Sequence, residues 1–231
     1  VTIVANSTTG TAVSNTGTIS GLSISINGTA TTATTVVSVG VMIINSGGTD
    51  IEVIANNTSA GGNTGISQTG AISGANGSDI SFISNNKISQ GGAITLAANT
   101  TATSSVTYDT TSGSKLSTIS TGSLTLTSGS NQDVNYLVKA SGGALTLGGA
   151  VSVNGTVTLD NTYGCSTSGC TPASGYVTTS NYATLATTDH AIQTTSGTLT
   201  AVKDITIKGI SYGNYGLYSN QAITSSAGDI N

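Results

Sequence analysis

The sequence predicts an all-β chain wound into a parallel β-helix, or β-solenoid. Three observations carry that reading: short strands of one alternating pattern recur, glycine-rich breaks separate them, and charge is almost absent. Ile94-Thr95-Leu96, Leu124-Thr125-Leu126, Leu145-Thr146-Leu147, Val157-Thr158-Leu159 and Ile205-Thr206-Ile207 each set apolar residues two apart with Thr between them. In an extended chain that spacing turns one face inward and leaves the hydroxyl outside. Asp50-Ile51-Glu52-Val53-Ile54-Ala55-Asn56 and Asp79-Ile80-Ser81-Phe82-Ile83-Ser84-Asn85 are longer versions of the same pattern. Recurrence at intervals of tens of residues is what a stacked coil requires, because one turn cannot bury its apolar face alone.

Composition agrees. Of 231 residues only 6% are charged and 4% aromatic, with no Trp and 31 Gly; an ordinary domain carries about a quarter charged residues. Low charge with abundant Val, Ile and Thr separates the chain from disordered segments, since branched side chains suit a pleated, half-buried surface. The single Pro172 fits a fold in which every strand must donate to a ladder. At about 4.8 Å per rung, about ten turns would make a rod roughly 50 Å long.

The expected organisation is solenoid repeats over 1–159, a loop or hairpin insertion over 160–195, and solenoid again over 196–231. The insertion holds Cys165, Cys170, Tyr163, Tyr176, Tyr182 and the only histidine, His190. Four small residues separate the two cysteines, so one disulfide can close that loop, and no further Cys stands by to build a metal site. A disulfide implies an oxidising, extracellular setting. Tyr163, Tyr176 and Tyr182 are the candidate partner contacts on the projecting loop. The stretch Tyr212-Gly213-Asn214-Tyr215-Gly216-Leu217-Tyr218 reads as a second departure from the rhythm.

A longer repeat lies above the strand-sized one. Val4-Ala5-Asn6-Ser7-Thr8 leads to Thr16-Gly17-Thr18-Ile19, and one such period later Ile54-Ala55-Asn56-Asn57-Thr58 leads to Thr69-Gly70-Ala71-Ile72. The chain ends on Gly228-Asp229-Ile230-Asn231 and begins on Val1-Thr2-Ile3-Val4. Joined tail to head, these would read like an internal strand. Val1, Ile3, Asp229 and Ile230 are therefore the expected end-to-end contacts between identical neighbouring units.

The Gly-x-Leu-Thr-Leu phrasing at Gly122–Leu126 and Gly143–Leu147, the Gly-Asp-Ile start and the near-absence of charge resemble filamentous-haemagglutinin-like bacterial adhesins. The resemblance covers most of the chain outside Asp160 to Thr195. It implies a very long secreted β-helix at a cell surface, active in attachment, with surface glycans or other cells as contacts. No ligand-contacting residue carries over.

Other functions are weighed on their residues. With no Arg and five scattered lysines (Lys87, Lys115, Lys139, Lys203 and Lys208), no basic stripe exists to follow a nucleic acid backbone. No apolar run approaches the roughly 20 residues of a membrane-spanning helix. Catalysis by a carbohydrate-active β-helix would need clustered carboxylates, and only Asp50 and Glu52 form a tight pair in the sequence. Asp189 beside His190 points apart in an extended chain. An enzyme, a cofactor and a metal are not expected. A flat Thr array for ice would need constant turn length, which the variable spacing argues against. The expected function is a non-catalytic structural or adhesive segment of a secreted fibre. The alternative is a filament subunit that polymerises by strand complementation between its ends.

Overall fold

A computed structural model of the protein describes residues 1–58, 63–74, 77–96, 99–111, 118–126, 129–137, 145–161, 191–209 and 216–231. Every strand pair among them is parallel, and the chain coils around a three-sided core. The first face stacks eight strands in sequence order: Thr2–Ser7, Ser23–Ala30, Asp50–Asn57, Asp79–Ser84, Asn99–Asp109, Gly129–Leu137, Val157–Asn161 and Ile205–Gly209. The second and third faces form one 14-stranded sheet, because Val13–Gly21 and Thr35–Ile44 run across the corner between them. Beyond those strands the corner opens. The second face continues with Thr64–Gln68, Lys87–Gln90, Ile119–Thr121, Leu145–Leu147, Ile192–Thr194 and Leu217–Ser219. The third continues with Ile72–Gly74, Ile94–Leu96, Leu124–Leu126, Val151–Val153, Leu199–Ala201 and Ile223–Ser225.

Among the described residues eight strands stack on the first face and Ile230 bridges to Ile205 beyond the last of them, for a height of about 38 Å at about 4.8 Å per rung. Turn length is uneven. The turn from Thr2 to its partner Ser25 is short, that from Asp50 to Asp79 is longer, and that from Val157 to Ile205 is the longest on this face. The longest turn contains 162–190, which lies outside the described residues together with Cys165, Cys170 and the disulfide expected between them. Asp160 and Asn161 still belong to a first-face strand, and Ile192–Thr194 to a second-face strand. The coil therefore reaches into both edges of the 160–195 segment.

Inside, equal residues stack on equal residues. Ile24, Ile51, Ile80, Val106, Val157 and Ile205 fill one first-face column, and Ile72, Ile94, Leu124, Val151 and Leu199 fill one on the third face; all are buried. Of the ten apolar residues in the five short alternating strands, nine are buried and Ile207, on the last long strand, is half-buried. The longer sequence repeat is two turns: Asn6 pairs with Thr29, and Thr29 with Asn56.

Corners are made differently at each edge. Between the third and first faces, the Gly48 N–H donates to the Asn45 carbonyl at 2.9 Å, and Gly47 in that turn takes φ 81°. This is the left-handed region that glycine enters without a Cβ penalty. Between the first and second faces, asparagine closes the bend. The Asn57 side-chain amide donates to the Ala33 carbonyl at 3.0 Å, and Asn85 both accepts from the Asn57 N–H and donates to its carbonyl, each at 2.9 Å. Those bonds satisfy backbone groups that leave the ladder at the bend.

Candidate functional site

The outside of the coil is where this protein can meet a partner, and its three faces differ. The leading corner of the first face carries one column, rung by rung: Ser23, Asp50, Asp79, Ser105, Asp133, Thr156, Asp204 and Asp229. Three of the acids hold the rung that follows. Asp79 Oδ1 accepts from the Ser105 N–H at 2.9 Å and from its hydroxyl at 2.7 Å. Asp133 Oδ1 accepts from the Thr156 N–H and hydroxyl, both at 2.9 Å, and Asp204 Oδ1 from the Asp229 N–H at 2.9 Å. Each carboxylate replaces a backbone carbonyl at the point where the chain enters the strand, in a charge-assisted bond. These acids act as register clamps.

One consequence can be measured. Asp79→Ala should lower stability by about 1 kcal/mol, since the exposed Ser105 N–H falls back on water. Asp50, whose Oδ2 accepts from the neighbouring Thr49 hydroxyl at 2.9 Å and holds no following rung among the described residues, should tolerate Ala with a smaller change. Urea midpoints of the two variants compare them, and equal shifts would remove the clamp reading.

Asp50 and Glu52, the sequence's one tight acidic pair, stand on adjacent outward positions of one strand with Asp79 beside Asp50 on the next rung. The third carboxylate was hidden in the sequence because a full turn of chain separates it from Asp50. Among the described residues no group of three or more His, Cys, Asp or Glu is placed to hold a metal ion. Asp160, nearly buried, faces Lys208 on the following rung at 3.6 Å.

The corner between the second and third faces is built from glycine and buried amides. A Cβ on Gly70, Gly92, Gly122 or Gly149 would run into backbone of the rung before it. The Gln68 side-chain amide donates to the Gly40 carbonyl at 3.3 Å and to that of Gly70, and the Gln90 amide donates to the Gly92 carbonyl. Gln90 Oε1 in turn accepts from the Tyr108 hydroxyl at 3.2 Å and the Gly122 N–H at 3.2 Å. Inward-facing glutamine had no signal in the alternation, because a polar residue at an apolar position looks like the end of a strand.

The third face is neutral. Among the described residues the acids lie on the first face or its leading corner, Lys87 opens a second-face strand, Lys203 stands beside Asp204 at the leading corner of the first face and Lys208 lies on the first face. No charged residue lies on a third-face strand.

Of the contacts expected from sequence, Tyr163, Tyr176 and Tyr182 lie outside the described residues, as do Asp189, His190, Tyr212 and Tyr215. Tyr218 is on a second-face strand, so part of the tyrosine-rich stretch belongs to the coil. The Val1 carbonyl accepts from the Ser25 N–H, placing Val1 in the column of Ile24; Ile230 pairs with Ile205 in that same column. Val1 and Ile230 are half exposed, Ile3 is half-buried, and Asp229 is exposed. Among the described residues no helix is long and apolar enough to cross a membrane. No protein-family model, curated protein or solved structure matches this chain.

Proposed function

We propose that this chain is a non-catalytic structural or adhesive segment of a secreted cell-surface fibre or adhesin, with identical units joined end to end. The observation that supports it is the unbroken parallel ladder on all three faces. Each rung leans only on its neighbours, so stability grows with the number of turns and the object extends in one dimension. The fold is compatible with the filamentous-haemagglutinin-like resemblance, and extracellular placement follows from that reading.

The alternative is a separate filament subunit that polymerises by strand complementation. Electron microscopy of the full-length product separates the cases. Thin, straight fibres from one long chain are expected. Short rods that lengthen with protein concentration would support strand complementation instead, and compact particles would defeat both. A glycan panel tests the carbohydrate-active alternative: turnover lost in Asp50→Asn or Glu52→Gln would replace the structural reading.

A further inference from the structure

We propose that the third face binds ice. Two ranks of side chains cover six consecutive rungs there. The first is Ala71, Ala93, Ser123, Ala150, Thr198 and Ala222, and the second is Ser73, Thr95, Thr125, Ser152, Thr200 and Thr224. All twelve are exposed or half-buried. None of the six second-rank hydroxyls takes a partner among the described residues, whereas on the second face Thr146 accepts from Gln193 at 2.8 Å.

Turn length does not disturb this net. The turn from Ile72 to Ile94 is short, that from Ile94 to Leu124 is longer, and that from Val151 to Leu199 is longer still. Ser73, Thr95, Thr125, Ser152, Thr200 and Thr224 remain direct neighbours throughout, because each pairs in register with the next whatever the length of chain between them. The objection drawn from variable spacing therefore does not apply to the folded face.

The geometry suits water held in a lattice. Rungs repeat at about 4.8 Å and the two ranks lie about 6.6 Å apart. In tetrahedral water with hydrogen bonds of about 2.75 Å, second-neighbour oxygens stand about 4.5 Å apart. Thr95, Thr125, Thr200 and Thr224 are restricted about their first side-chain torsion, which limits the places their hydroxyl and methyl groups can take.

Other occupants fit less well. Six rungs by three residues present only about 300 Å², against about 800 Å² per partner in a stable protein interface. The third-face strands carry no Trp, Tyr or Arg to anchor a second copy or stack on a sugar ring. The proposal rests on this face alone and does not depend on the fibre reading.

The test uses the whole chain, with ice growth inhibition and recrystallisation measured in dilute buffer. The unaltered protein should slow recrystallisation. Thr125→Tyr, in the middle of the net, should lose that effect, while Ser89→Tyr, outward on the second face, should keep it. Circular dichroism confirms that both variants retain the β fold. If Thr125→Tyr unfolds, Thr125→Lys, which replaces the hydroxyl with a hydrated charge, is read in its place. No inhibition by the unaltered chain, equal loss in both variants, or sedimentation showing a second copy over this face would each overturn the proposal.

Discussion

Gly92→Ala is expected to destabilise the coil by about 3 kcal/mol or more, because overpacking at a backbone contact has no flexible neighbour to absorb it. A Cβ at Gly92 would sit on the Gly70 carbonyl, within the rung spacing itself. The two rungs would have to part there, and the bond from the Gly91 N–H to the Gln68 carbonyl, 2.8 Å long and crossing between the same two rungs, would lengthen with them. Gly91 is the control: its nearest neighbour beyond the chain would be the Gln68 carbonyl oxygen at 3.8 Å, ordinary contact distance. Gly91→Ala should change stability by about 0.5 kcal/mol or less. Urea unfolding of the adjacent variants reads the contrast. Equal midpoints would show that the corner does not need close approach.

Truncating Phe82 should have the next largest effect. Phe82 is fully buried and stacks on Tyr108 of the following rung, ring centroids 5.2 Å apart and planes within 15°. Phe82→Ala removes that pair and leaves a void between rungs, for an expected loss of about 3–5 kcal/mol. Phe82→Leu keeps most of the volume and should lose only about 1 kcal/mol. The damage should be local, since each rung depends on its neighbours. Hydrogen exchange should therefore speed up around Asp79–Ser84 and Asn99–Asp109 and hold near Ile223–Ser225. Loss of protection along the whole chain would show instead a single cooperative core.

The parts legible in the sequence are those that obey a local period. Leu124-Thr125-Leu126 and Val151-Ser152-Val153 announce themselves because alternate burial is a property of three consecutive residues. Thr64–Gln68 and Lys87–Gln90 do not, because Gln68 and Gln90 turn inward to glycine carbonyls that only the bend supplies. The acid column was invisible for a related reason. Asp79 and Ser105 lie a whole turn apart, and nothing local says that one caps the other. The pairing of Val157 with Ile205 was hidden likewise, since the whole length of that turn separates them.

By itself the sequence determined that the chain is all β, which apolar residues of the short alternating strands face inward, and that strands repeat often enough to stack. Local alternation and the scarcity of charge suffice for that, since both act through burial of one strand face at a time. Only the tertiary structure decided which strand lies on which, and so which surfaces exist. Pairing joins residues a full turn apart, as near as Ile72 to Ile94 and as far as Val157 to Ile205, and turns of unequal length hide that register from any fixed period. The clamps of the first face and the hydroxyl net of the third are products of that register.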